Sequence, residues 1–167
     1  MRMAEIVVGV DGSASSLAAL RWALDDTARR GGGTLHVVYA WEYPIAALAP
    51  SPVGTVVPPG DEMHTAASQA LDLMLDDLKI DEITPPGVSL ERVIGEGSPA
   101  NVILALAGEV DAELVVVGAR GRGGFVGLLV GSVATQVVNH AKRPTVVVPP
   151  EPTAGKDTAG AAKDKGK

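Results

Sequence analysis

Ile6-Val7-Val8-Gly9-Val10, a turn at Asp11-Gly12-Ser13, then Ser15 to Arg30 closed by Gly31-Gly32-Gly33, then Leu35-His36-Val37-Val38-Tyr39-Ala40: this opening stretch reads as strand, helix, strand. Both apolar runs are nearly continuous, the pattern of strands covered on both faces. Between them Leu17, Leu20, Leu24 and Ala28 recur at three- and four-residue spacing, one stripe of a helix that the glycines then stop. Two such strands joined by a helix pair in parallel through a right-handed crossover.

The same alternation runs on through the chain. Leu114 to Val117 and Thr145 to Val148 are further apolar runs, and Val88 to Ile94 is a weaker one whose alternation (Val88, Leu90, Arg92, Ile94) marks it as half exposed. Asp61 to Lys79 places Ala67, Leu71, Met74, Leu75 and Leu78 on one side of a helix and Asp72, Asp76 and Asp77 on the other. A third helix opens at Ser98-Pro99, a cap residue followed by proline at the first helical position, and runs through Val102, Ile103 and Leu106 to Gly108. A fourth follows Gly131-Ser132 and ends before Pro144, with Val133, Val137 and Val138 turned inward. This order predicts an α/β fold: one open, five-stranded, Rossmann-like parallel sheet in the order 3-2-1-4-5, with helices on both faces. Ligands of such sheets bind outside the carboxyl ends of the strands where the winding reverses, so the loops after Val10 and Val117 are the ones to inspect.

Residues 1–150 are expected to form one domain. Pro44 to Gly60, with prolines at 44, 50, 52, 58 and 59, reads as a long surface loop, either a lid or a passive insertion. Glu151 to Lys167 has no large apolar residue and reads as a disordered tail. With 46% hydrophobic residues the chain can build a core without staples, and its lack of cysteine removes disulfides, thiolate metal sites and cysteine nucleophiles together. Ile6 to Val10 is too short for a signal peptide, and no apolar stretch approaches the roughly 18 residues of a membrane span, so the expectation is a soluble, cytoplasmic protein. A net charge of −6 repels nucleic acid, and any anionic ligand must be held by local devices such as helix N-termini, backbone N–H groups and a few arginines.

The segment best supplied with such devices directly follows the fourth strand: Gly118-Ala119-Arg120-Gly121-Arg122-Gly123-Gly124-Phe125-Val126-Gly127, then Gly131-Ser132. Glycine lets a ligand approach the main chain, and Gly131-Ser132 opens a helix whose free N–H groups, dipole and hydroxyl favour phosphate. The competing reading is a glycine loop in which Ser132 only caps the helix. Arg120 and Arg122 could neutralise phosphates, with one of the two free to point to water. Asp11, at the switch point, either accepts hydrogen bonds from ribose hydroxyls or an amino group, or only forms a turn with Gly12 and Ser13. Tyr39, Trp41 and Tyr43 share a face and could offer a ring to a base, against a simpler role in packing. Gly95-Glu96-Gly97-Ser98-Pro99-Ala100 fits the dinucleotide pattern G-x-G-x-x-A, but that fingerprint belongs to the first strand-helix turn, so it is read as a turn bordering the site and NAD is rejected.

The spacing Gly118-x2-Gly121-x9-Gly131-Ser132 resembles the nucleotide motif of ATP-binding universal stress proteins. The resemblance extends through Val8-Gly9-Val10-Asp11-Gly12-Ser13, Gly95 to Pro99 and Arg143 to Pro149, nearly the whole folded part. It implies that Gly118, Gly121, Gly131 and Ser132 contact ribose and phosphates and that Asp11 meets the adenosine part. A main-chain contact to adenine falls at Ala40, or at Val38 if the register shifts. Val133, following Ser132, is counted with the site. ATP is the implied ligand and a homodimer through the outer strand Thr145 to Val148 the implied assembly; Mg²⁺ on the phosphates goes with the alternative of a slow ATPase or phosphotransferase.

No G-x-x-x-x-G-K-[ST] sequence occurs, which removes the usual P-loop hydrolase. His36, His64 and His140 are dispersed, no carboxylate lies within the glycine motif to activate water, and no catalytic residue or protein metal ligand is assigned. The reading is therefore an ATP-binding regulatory protein whose nucleotide state a protein partner reads; the alternative is a slow ATPase or phosphotransferase on the same fold. An interaction module without a ligand is disfavoured because all four motif positions are filled.

Overall fold

The computed structural model describes residues 3–43, 59–122 and 130–151. The Pro44 to Pro58 part of the long loop, the glycines at 123, 124 and 127 and the tail beyond Glu151 lie outside the described residues. In chain order the elements are β1 (Ala4–Gly9), α1 (Ala14–Arg29), β2 (Gly33–Trp41), α2 (Gly60–Asp77), α3 (Ile80–Ile83), β3 (Val88–Glu96), α4 (Pro99–Glu109), β4 (Leu114–Gly118), α5 (Ser132–His140) and β5 (Thr145–Val148). The strands form one five-stranded sheet, β3-β2-β1-β4-β5, with every pairing parallel.

Alternation along the central strands divides the core. Ile6 and Val8 of β1 and Leu35 and Val37 of β2 pack with Leu20 and Leu24 of α1 and Leu71 and Leu75 of α2. Val7, Val38, Val115 and Val117 point the other way, against Ile103 and Ala107 of α4 and Ala134 and Val137 of α5. Both faces are thus covered, which is why β1, β2 and β4 read as continuous apolar runs. β3, at one edge, has no buried residue, in line with its half-exposed pattern.

Local chemistry fixes the helix ends. The Ser13 hydroxyl accepts a hydrogen bond from the Ser16 N–H and caps α1. At its other end Gly31 takes φ 96° while Gly31 and Gly32 return N–H bonds to the carbonyls of Ala28 and Thr27.

Three expectations are corrected. The helix expected over 61–79 ends at Asp77, where Lys79 turns into the left-handed region (φ 51°) and starts α3, a short helix that swings Ile80 into the core. No glycine or asparagine signals this stop. Val138 of α5 is exposed and Ala134 takes the inward place, because Ala134 and Val137 lie three residues apart on one stripe and Val138 falls a further 100° round. Ser98 stands at the N-cap of α4 without a side-chain hydrogen bond, so the helix start rests on Pro99 at the first turn. His36 is buried, with Nε2 2.8 Å from Glu5 and Nδ1 3.1 Å from Glu91, and so joins three neighbouring strands.

Candidate functional site

The order of the sheet leaves a crevice where the winding reverses between β1 and β4. A cavity of about 590 Å³ opens there. Its floor is apolar and buried, with Val38 from β2, Val117 from β4 and Ile103 from α4. Exposed residues at its rim include Arg120, Gly121, Arg122 and Ser132. All eight residues expected at the site, Asp11, Ala40, Gly118, Arg120, Gly121, Gly131, Ser132 and Val133, border this one cavity, although 122 positions separate the first from the last. Val38, the alternative to Ala40, borders it as well.

Asp11 leaves the end of β1 with both carboxylate oxygens engaged. Oδ1 accepts the N–H of Ser13 at 2.9 Å and Oδ2 accepts the N–H of Arg122 at 3.0 Å. The two readings of this residue thus combine into a third: it forms the turn with Gly12 and Ser13, and it also reaches across to the glycine turn. Burial works against its charge, but hydrogen bonds from Ser13, Ser16 and the main chain of Arg122 outweigh that and hold the Asp11 carboxyl below its ordinary value. A second link runs parallel to the first, from the Ser13 hydroxyl to the carbonyl of Arg120 at 3.0 Å. The exits of β1 and β4 are in this way sewn together.

The motif glycines do not share one role. A Cβ on Gly118 would stand 2.7 Å from the main chain of Ser15 and Ser16, so the first turn of α1 fills the space the glycine leaves. Gly118 borders the cavity, but its smallness serves the packing of strand on helix. A Cβ on Gly121 would lie 2.7 Å from Asp11 Oδ2, and one on Gly131 would make only ordinary contacts, the nearest at 3.4 Å. Gly131 donates its N–H to the carbonyl of Ala119 at 2.6 Å and stands at the N-cap of α5. Ser132 is therefore the first helical residue and does not cap the helix; it is exposed, and with Val133 and Ala134 of the first turn it lines the cavity.

The two arginines part company. The Arg122 guanidinium lies over Gly12, beside the Met74 side chain of α2, at a position where Gly12 has φ 80°. The Arg120 side chain makes no ion pair among the described residues and stands exposed at the rim. Trp41 is buried with its ring centroid 6.3 Å from that of Tyr43, so these two rings pack together, while Tyr39 borders the cavity. Ser16, Pro99, Ile103 and Val117 also line the cavity, although none of them is singled out by the sequence as a site residue. Pro99 carried a signal, as part of the turn already placed beside the site; the apolar residues carried none, because nothing distinguishes a floor residue from a core residue in sequence.

A doubly wound parallel sheet with a glycine turn and an open helix start at its switch point defines a class: α/β proteins that receive small ligands in the crevice beyond the strand ends. The Universal stress protein family model matches residues 3–149, and the chain belongs to that family. The universal stress protein Rv2623 of Mycobacterium tuberculosis is 35% identical over 146 residues, covering 87% of this chain and 45% of that protein. The chain thus spans about half the length of the curated relatives it matches. Among solved structures, a universal stress protein in complex with cAMP is 25% identical, with 90% of this chain and 100% of that one covered and a TM-score of 0.55. One from Archaeoglobus fulgidus in complex with dAMP is 24% identical, covering 89% and 99%, with a TM-score of 0.58. No helix among the described residues is long and apolar enough to cross a membrane.

Proposed function

We propose that this chain is a cytoplasmic, adenine-nucleotide-binding regulatory protein that takes ATP in the switch-point cavity and whose nucleotide state is read by a protein partner. The observation that supports this is the convergence of Asp11, Ala40, Gly118, Gly121, Gly131 and Ser132 on a single cavity within the roughly 300–1,000 Å³ range of small-molecule sites. The residues suit the ligand. Val38 and Ile103 offer an apolar surface for a purine ring, and the main chain at Ala40, past the end of the β1 pairing, would meet its edge. The first-turn N–H groups of α5, the Ser132 hydroxyl and Arg120, which makes no ion pair among the described residues, suit phosphates, and Mg²⁺ enters as the companion of those phosphates. Solved relatives carrying cAMP and dAMP support adenine as the base.

Homodimerisation belongs to the same reading. Among the described residues β5 pairs on one side only, with β4, and its four residues are half buried, which leaves an apolar edge that a second copy would cover.

Mass spectrometry of the nucleotide released on denaturation, with calorimetric titration of ATP and adenosine, tests the proposal. Arg120→Glu, an exposed substitution that keeps the Ser13-to-Arg120 main-chain bond, is expected to weaken ATP at least tenfold and adenosine little. Failure of the wild type to bind any adenine nucleotide would remove the function from this site.

A further inference from the structure

The link between Asp11 and the glycine turn points to a role that ligand contact alone does not require. One carboxylate receives N–H groups from two segments, Ser13 on its own turn and Arg122 beyond β4, and the Ser13 hydroxyl adds the bond to the Arg120 carbonyl. Ser16 locks this arrangement from the side of α1, accepting the Asp11 N–H on its hydroxyl at 3.2 Å and donating its own N–H to the Ser13 hydroxyl at 3.2 Å. Gly121 completes the fit, since a methyl there would press on Asp11 Oδ2. Its φ lies outside the left-handed region, so the position calls for glycine because of space alone.

We propose that Asp11 is a positioning residue: through the Arg122 amide it holds the Gly118 to Arg122 turn in its ligand-receiving shape before any nucleotide arrives. This deepens the adenine-nucleotide reading and rests on it. The stretch from Ala119 to Arg122 that follows β4, with glycine at 121, samples many backbone states when free, and freezing it at the moment of binding would cost affinity. Ordering it in advance from the rigid end of a central strand removes that cost. The chemistry needs a carboxylate. Two N–H donors require two acceptor oxygens, and asparagine, of the same shape, turns an NH₂ donor toward one of them. The clamp does not bar a ligand hydroxyl from Asp11, because each oxygen keeps a further lone pair.

The test uses the ¹⁵N-labelled full chain without nucleotide, followed by titrations with adenosine and ATP. In the free wild type the Arg122 amide should exchange slowly and lie downfield, as expected of a bond to a carboxylate, and both features should be lost in Asp11→Asn. ATP should weaken at least tenfold in that variant and adenosine less than threefold, since the turn serves the phosphates. Gly121→Ala provides the second variant: it leaves the carboxylate in place, crowds the bond, and should reproduce the loss for ATP. A fast-exchanging Arg122 amide in the free wild type, or equal weakening of adenosine and ATP in Asp11→Asn, would overturn the proposal and leave Asp11 an ordinary ligand contact. If the wild type binds neither compound the nucleotide reading fails, while the amide measurement in the free protein still decides the clamp.

Discussion

Two glycine turns lie at the carboxyl end of the sheet, one at the exit of the edge strand β3 (Gly95-Glu96-Gly97-Ser98-Pro99) and one at the exit of β4 (Gly118 to Arg122), with β2 and β1 between them, and each leads towards a helix. After β3, the space beside Gly95 is filled by the Val102 side chain of α4, Gly97 takes φ 123°, and proline removes a donor from the start of the helix. After β4, the turn is stitched to β1 through Asp11 and Ser13, and α5 opens with its first-turn donors uncommitted among the described residues. The first turn is closed by its own chain and borders the cavity through Pro99; the second presents its main chain to the cavity. A glycine in sequence marks a missing side chain, and only packing shows whether protein or ligand takes the space.

The sharpest way to break this comparison lies inside the second turn. Gly118→Ala should destabilise the protein by about 3 kcal/mol, the upper range of overpacking, because the new methyl meets the main chain of Ser15 and Ser16 and no flexible side chain can yield. Chemical denaturation measures it, and a stability near wild type would show that α1 does not fill that space. Gly95→Ala should cost less, about 1 kcal/mol, since the obstacle is the Val102 side chain, which can shift at the price of an off-rotamer angle. Nucleotide affinity should survive this change, and its loss would mean that the β3 turn belongs to the site. Gly131→Ala should cost no more than about 1 kcal/mol, the difference between glycine and alanine at an N-cap, since φ −78° is acceptable to alanine and the contacts are of ordinary length. Any loss of nucleotide in that variant is then a loss at the site and not of the fold.

The pH dependence of the Asp11 link supplies the smallest effect under working conditions. The folded-state pKa of Asp11 is lowered, so the stability it contributes is fully present above the unfolded carboxylate value near about 3.9 and is lost as pH falls through the folded value. Denaturation midpoints of wild type and Asp11→Asn should differ by a constant amount between pH 5 and 8 and converge in more acid solution. A difference that changes within the neutral range would assign the titration to another group.

Much of this was legible beforehand, for reasons that differ between residues. Ile6 to Val10 and Leu35 to Ala40 announced themselves because strands covered on both faces need apolar residues at successive positions. Gly131-Ser132 announced the start of α5 through turn chemistry acting over a few residues. Lys79 gave no sign of its left-handed turn, and Val138 no sign that Ala134 would displace it, because both outcomes depend on which helix side meets the sheet. Nothing near Asp11 in sequence foretold its bond to an amide 111 positions away.

The sequence by itself determined the alternation of strand and helix, the parallel sheet with its switch point, and the gathering of the glycine motif there. These follow from periodicity and turn preferences, which act within a few residues of the chain. The tertiary structure decided which of the motif's glycines gives its space to α1 and which stands open at the cavity, that Asp11 bonds the Arg122 amide as well as bordering the cavity, and that the Arg122 guanidinium lies over Gly12 while Arg120 makes no ion pair among the described residues. Those outcomes depend on the occupancy of space and the pairing of donors between segments distant in sequence, quantities that no local rule contains.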